Sequence, residues 1–383
     1  MEETKLGDDN EIQSNDRIYH ISKKKDMTNW LYFYEENNYK DAENLYNNLK
    51  KASKAFGLKI NEPKWIEMRN HSSAQDWTNI ADIFFGKKND YKFAVFLLGR
   101  NDRIYTELKK NSLCKNGYIS QVIKAKSILK KGVMNVCSKI LLQINAKLGG
   151  ASYKIQDKSI KEKKLMVIGV DSSHIKGKGT GVAMVATIDD SFTNFFNKET
   201  IIKEENNREQ LQYNINSFIE LAIEAYKKEN KEYPRGIIIY RQGVSLQQKD
   251  FLKSEIFTIN SCCETRKILY YYILVNSKIN FKFFEKSNNN YYNPGPGLLV
   301  IDGITNKNFF EFYIQPQEVT QGSATPTCFH VAYGNMDFPE LIPKFTYDLC
   351  HIYWQGTISV PNVLKAAEKL SKMMIKYMRM NTL

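Results

Sequence analysis

Two positions at the ends of apolar runs carry the chemistry this sequence has to offer. Asp171 closes Leu165-Met166-Val167-Ile168-Gly169-Val170, and Gln242 follows Ile237-Ile238-Ile239-Tyr240-Arg241 in the segment that starts at Gly236. The carboxyl end of a buried strand is where α/β sheets place their reactive groups. By type alone, a strand-terminal acid such as Asp171 is more often a helix cap or a turn acid than a catalytic group. Gln242 is the more informative residue. Its amide oxygen accepts hydrogen bonds but brings no charge to a divalent cation, whose preferred ligands are carboxylates. Tyr240-Arg241-Gln242-Gly243-Val244-Ser245 therefore reads as a metal-ligand turn without its ligand.

Tyr105 and Lys109 stand at i and i+4 and so share one helix face, and Gln143 and Lys147 recur at the same spacing later in the chain. Taken singly, each is an ordinary solvated position. His174 stands close to Asp171 but reads as structural. Gly177 to Gly181 lacks the Lys-Ser/Thr ending of a phosphate loop, so nucleotide hydrolysis is not expected. Tyr291-Tyr292-Asn293-Pro294-Gly295-Pro296-Gly297 reads as a rigid turn whose aromatics pack. Arg241 and the lysines of 154 to 164 are candidates for neutralising phosphates.

These residues need a scaffold, and the patterning supplies one. Residues 1–26 are polar, carry Lys23-Lys24-Lys25, and read as a flexible arm. Trp30 to Phe33 forms a short strand. Ala42, Leu45, Leu49, Ala52 and Phe56 then fall at helical spacing over 39–56. Phe93 to Leu98 is apolar on both faces, as a central parallel strand should be. A helix opens near Ile104, Val122-Ile123 is a strand, and a helix over 133–148 stops at Gly149-Gly150. This alternation describes a small α/β domain over 27–155. From 156 to 383 the order changes. Strands at 165–171 and 181–188, a long helix over 208–228, the strand at Ile237, a strand pair at 298–301 and 309–315 and a last helix over 363–377 suggest a ribonuclease-H-like sheet.

Composition sets the outer bounds. The chain has 383 residues with 42% apolar side chains, enough for two cored domains. Lys and Arg number 55 against 42 Asp and Glu, and the net charge of +13 favours a polyanionic partner such as nucleic acid, although an Asn- and Lys-rich source composition also explains it. The 6 cysteines show no CxxC spacing, which argues against a zinc module or a disulfide framework and for a reducing compartment. No apolar run is long enough for a membrane span, and the polar start is not a secretory signal. Cytoplasm and nucleus remain.

Together, Leu142 to Gly150 (LQINAKLGG), Tyr240 to Ser245, Gln315 to Thr327 (QPQEVTQGSATPT), Leu349 to Tyr353 and Val360-Pro361 resemble the Argonaute/Piwi family, nearest its Piwi branch. The resemblance runs from about residue 27 to the carboxyl terminus. It implies a Rossmann-like MID domain followed by a ribonuclease-H-like PIWI domain, with no room for the amino-terminal and PAZ domains of longer relatives. It also implies roles. Slicing members use an Asp-Glu-Asp-His tetrad around two divalent ions. Here Asp171 matches the first acid and Glu209 the mobile Glu, allowing one inserted residue near Lys231. Gln242 stands for the second Asp and Glu368 for the His. Family members grip the 5′ phosphate of a guide RNA through residues matched by Tyr105, Lys109, Gln121, Gln143 and Lys147. The terminal carboxylate, Leu383 here, and a Mg²⁺ near it and Gln121 complete that site in the Piwi branch.

The expectation is a guide-RNA-binding protein that anchors a 5′ phosphate, holds no catalytic metal pair, is not itself an enzyme, and works with a protein effector such as a nuclease in RNA silencing or processing. Two alternatives stay open: a Mg-dependent endonuclease with a substituted tetrad, and a protein scaffold that binds no RNA.

Overall fold

The computed structural model describes residues 4–5, 21–86, 90–99, 102–128, 132–176, 179–202, 207–306, 309–354 and 356–378. Two compact units divide the chain, one spanning Ile12–Ser152 and the other Met1–Glu11 with Tyr153–Leu383. The short strand β1 (Thr4–Lys5) belongs to the second unit's sheet.

In the first unit, side-chain alternation builds the layers. Trp30, Tyr32 and Tyr34 of β2 (Trp30–Glu35) enter one core, while Leu31 and Phe33 enter the other. Phe93, Val95 and Leu97 of β4 (Phe93–Leu98) divide from Ala94, Phe96 and Leu98 in the same way. Burial on both faces explains why both strands are apolar without a break. With β3 (Lys64–Met68) and β5 (Ile119–Lys124) they form a four-stranded sheet in the order β3-β2-β4-β5, parallel throughout. Helices α1 (Tyr39–Phe56) and α4 (Val133–Lys147) cover one face. Helices α2 (Ala74–Phe85) and α3 (Asp102–Lys110) cover the other. Each large apolar side chain fully removed from water contributes about 1.5–3 kcal/mol. The arrangement is Rossmann-like.

Part of the expected arm is held. Residues 1–3 and 6–20 lie outside the described residues, but Lys23 bridges Ala151, Ile21 and Met27 are buried, and the Lys25 amide donates to Asn145 Oδ1 at 2.8 Å. The stretch from Ile21 is therefore tied to the first unit because its backbone finds partners there. Thr4 and Lys5 pair with Leu299 and Leu298.

The second unit carries a nine-stranded sheet in the order β1-β13-β14-β15-β10-β9-β6-β7-β8. Its strands are β6 (Leu165–Ile175), β7 (Gly179–Thr187), β8 (Phe195–Ile202), β9 (Gly236–Gln242), β10 (Leu269–Asn276), β13 (Leu298–Val300), β14 (Glu311–Gln315) and β15 (Thr327–Gly334). A small separate hairpin joins β11 (Glu285–Ser287) to β12 (Asn290–Tyr292). β6, β9 and β10 run parallel, whereas β7 and β8 continue antiparallel from β6. This is the ribonuclease-H-like arrangement. Helices α6 (Asn207–Asn230) and α7 (Lys249–Glu264) pack on one face. Helices α5 (Lys158–Glu162), α8 (Leu341–His351) and α9 (Asn362–Met378) pack on the other.

The seating of α9 depends on Gly169. A Cβ there would lie 2.5 Å from the Leu364 nitrogen and from the Val363 carbonyl carbon, so only glycine admits the helix start this close to β6. That contact aligns the middle of α9 with the end of β6.

Candidate nucleic-acid interface

The residues matched to the phosphate grip come together within the first unit. Lys109 lies in the last turn of α3 and Lys147 in the last turn of α4, the ends at which helix dipoles favour cations. The Lys109 ammonium donates to the Ser120 carbonyl oxygen at 3.0 Å and to Ser120 Oγ at 2.8 Å. Lys147 donates to the same carbonyl oxygen at 2.8 Å and to Gln121 Oε1 at 2.8 Å. Gln121 Nε2 in turn donates to Gln143 Oε1 at 3.2 Å. Tyr105, half-buried one turn before Lys109, has its phenol pushed up by burial, against the opposing charge of Lys124. Leu383 lies outside the described residues.

The electrostatics follow from this geometry. Two ammonium nitrogens on one oxygen can be no farther apart than the sum of 3.0 and 2.8 Å, so they repel. Burial pulls Lys109 down to about 8. An entering anion would relieve both costs. The donor set does not fit Mg²⁺ equally well. Two ammonium groups and two amides offer no oxygen anion to a hard cation, and the Gln121 amide oxygen is already engaged by Lys147.

The tetrad-matched positions form a different environment in the second unit. Asp171, buried in β6, accepts a hydrogen bond from Ser371 of α9. Ser371 also meets Ser173 Oγ at 3.0 Å and the Glu368 carbonyl at 3.1 Å. Val170 pairs with Arg241, so Asp171 and Gln242 come next side by side on neighbouring strands. Gln242 Oε1 is buried and has no hydrogen-bond partner among the described residues. Glu368 is held by Lys365 at 2.8 Å and by Lys372. Burial raises its pKa, but the hydrogen bonds and charges of these two lysines outweigh that and hold it below the usual range. Glu209 falls in the first turn of α6, and its side chain lies outside the described residues. Among the described residues no group of three or more His, Cys, Asp or Glu side chains could hold a metal ion. The described positions thus give one carboxylate engaged by a serine, one neutral amide and one carboxylate paired with two lysines.

Several residues read from the sequence as phosphate neutralisers or packing groups take other places. Arg241 is 1% exposed and its Nε lies 3.1 Å from Glu255 Oε1, so its charge is spent inside the unit and cannot line a channel. Lys161 and Lys164 pair with Asp190 and Glu232, and Lys163 lies over the Phe338 ring at 4.2 Å. Tyr291 and Tyr292 stand on the β11–β12 hairpin with their side chains exposed rather than packed. His174 Nδ1 meets Thr180 Oγ1 at 3.0 Å across the β6–β7 pair. Ser120, which joins both lysines, escaped sequence reasoning. Its one available signal is its position immediately before Gln121 on a strand.

The family model described as Piwi domain matches residues 92–379. Drosophila melanogaster protein argonaute-3 is 31% identical over 362 residues, which cover 93% of this chain and 40% of that protein. The chain therefore spans well under half the length of that relative. The crystal structure of Drosophila Piwi superposes with a TM-score of 0.83 at 25% identity, covering 94% of this chain and 50% of that one. The crystal structure of Kluyveromyces polysporus Argonaute with a guide RNA gives 0.79 at 18% identity, covering 92% and 45%, a likeness of fold.

Proposed function

The chain belongs to the Argonaute/Piwi family, and from that membership we propose that it grips the 5′-phosphorylated end of a small single-stranded guide RNA without cleaving a target itself. The observation that carries this reading is the convergence of Lys109 and Lys147 on one carbonyl oxygen of Ser120, with Gln121 and Gln143 joined to them. A terminal phosphate brings up to two negative charges and three acceptor oxygens, and ammonium and amide N–H groups are its complement. Tyr105 adds an aromatic face near the first nucleotide. The guide RNA held by the Kluyveromyces polysporus Argonaute fits the same reading.

Silence at the other site follows from charge. Two-ion phosphodiester chemistry needs several carboxylates converging on the metals, one to activate water and one to stabilise the leaving oxygen. A neutral amide at 242, whose Oε1 is buried, and lysine-paired Glu368 withhold two of the four positions. The activity downstream of guide binding then belongs to a protein effector, such as a nuclease, that engages the RNA-loaded state in the cytoplasm or nucleus.

The test uses the whole chain with RNAs of one sequence, 5′-phosphorylated or 5′-hydroxyl, measured by fluorescence anisotropy beside a cleavage assay on a complementary target in Mg²⁺ or Mn²⁺. A preference for the phosphorylated RNA of about tenfold or more, the scale of one charge-assisted hydrogen bond, without cleavage is the expected result. Equal affinities would sink the guide-end reading, and no binding of either RNA would leave an RNA-free scaffold. Turnover abolished by Asp171→Ala would make the protein an endonuclease.

A further inference from the structure

Ser120 is 5% exposed and Ser112 is 1% exposed, and the two hydroxyl oxygens lie 3.1 Å apart. Ser112 Oγ is also 3.1 Å from the Lys109 carbonyl oxygen, which can only accept. The Ser112 proton therefore goes to that carbonyl, so the contact between the serines is made by the Ser120 proton. This leaves the lone pairs of Ser120 Oγ for the Lys109 ammonium at 2.8 Å. The result is a closed ring of donors and acceptors running from the Lys109 ammonium through Ser120 and Ser112 back to the Lys109 backbone. Meanwhile the Ser120 carbonyl oxygen takes one N–H from each lysine.

We propose that Ser120 is the positioning residue of the guide-phosphate site: its carbonyl gathers the two ammonium groups and its hydroxyl fixes the direction of Lys109, leaving one N–H of that lysine for the phosphate. The inference rests on the guide-binding reading above and adds a residue and a chemical role to it. Holding a flexible lysine in its binding geometry before the ligand arrives removes an ordering cost that would otherwise be taken from the affinity. The cooperative ring strengthens each of its members.

The role has a pH signature. The Lys109 ammonium meets Ser120 of β5, whose carbonyl oxygen it shares with Lys147 of α4, while Ser112 of the segment 111–115 is bonded to Ser120 Oγ and to the Lys109 carbonyl. Burial favours loss of the Lys109 proton, and the hydrogen bonds to the Ser120 oxygens favour its retention. Removing one of those oxygens lets the proton leave at lower pH, and the preference for phosphate leaves with it.

The experiment is anisotropy with 5′-phosphorylated and 5′-hydroxyl RNA between pH 6.5 and 9 for the wild type, Ser120→Ala, Ser120→Thr and Ser112→Ala. Ser120→Ala is expected to bind phosphorylated RNA about tenfold more weakly, the scale of a lost hydrogen bond to a charged group, with 5′-hydroxyl RNA bound as before. Its phosphate preference should also disappear at lower pH than in the wild type. Ser120→Thr restores both, and Ser112→Ala shifts both in the same direction by less. Unchanged preference in Ser120→Ala, or equal impairment of the alanine and threonine variants, overturns the inference. Unchanged binding of 5′-hydroxyl RNA separates these results from misfolding. A wild type without phosphate preference brings down the guide-binding reading, and this inference with it.

Discussion

Ser371 donates its hydroxyl proton to the Asp171 carboxylate, joining α9 to the end of β6. Both residues are buried, so this carboxylate acts as a structural acceptor in the sheet–helix contact. Ser371→Ala would leave a buried charge without its donor, at a cost of about 1–3 kcal/mol. The variant should unfold at lower urea concentration than the wild type. Asp171→Asn, which keeps an acceptor oxygen, should lose less than Asp171→Ala. Equal stability in all these proteins would show that the contact contributes nothing.

Gln242→Asp puts a second carboxylate beside Asp171. Without metal the two anions repel, and the variant should be less stable than the wild type in EDTA by on the order of 1 kcal/mol. Mn²⁺ should restore that loss and raise the melting temperature of the variant but not of the wild type. Cleavage should stay absent, because Glu368 remains bound to Lys365 and Lys372. Turnover in this single variant would show that position 242 alone silences the site.

What the sequence made legible was periodicity, and what it hid was pairing. Ala42, Leu45, Leu49, Ala52 and Phe56 mark α1 over the limits it takes, and the unbroken apolar run of β4 announces its burial on both faces. β3 did not stand out, because Lys64-Trp65-Ile66-Glu67-Met68 mixes charge into an edge strand. The helix after it did carry a signal, the capping box of Ser73 and Asp76. β10 and β15 also went unread, although Tyr270 to Val275 is apolar throughout. At the sites, residue type showed that Gln242 is neutral and that Tyr105 and Lys109 share a face. It did not show that Ser120 links the lysines, since a strand serine has no pattern of its own. Nor did it reveal the burial of Arg241, whose partner Glu255 lies on another element and is identified only by the fold.

That buried pair yields a third expectation. Arg241 and Glu255 are each 1% exposed, so removing one charge strands the other in a low-dielectric interior. Glu255→Gln should destabilise the protein by about 3–5 kcal/mol, whereas replacing both residues with apolar side chains of similar volume should cost much less. A double-mutant cycle in urea measures the difference. Additive single losses would indicate that the two groups act independently.

Lys109 ties stability to function with a definite sign. Unfolded, its ammonium titrates near 10.5, and in the folded protein burial brings it down to about 8. Between these values the unfolded chain binds more protons than the folded one, so this group makes the RNA-free protein more stable as pH rises from about 8 to 10.5. Below that window the folded state carries the full cost of a buried charge. Lys109→Met removes the cost and should raise the neutral-pH melting temperature of the RNA-free protein while abolishing its preference for a 5′ phosphate. In the wild type the phosphate preference should decline above about pH 8, the opposite direction to stability. Thermal melts and anisotropy over the same pH series check both. A Lys109→Met protein that is less stable yet keeps its phosphate preference would show that this lysine serves the fold rather than the ligand.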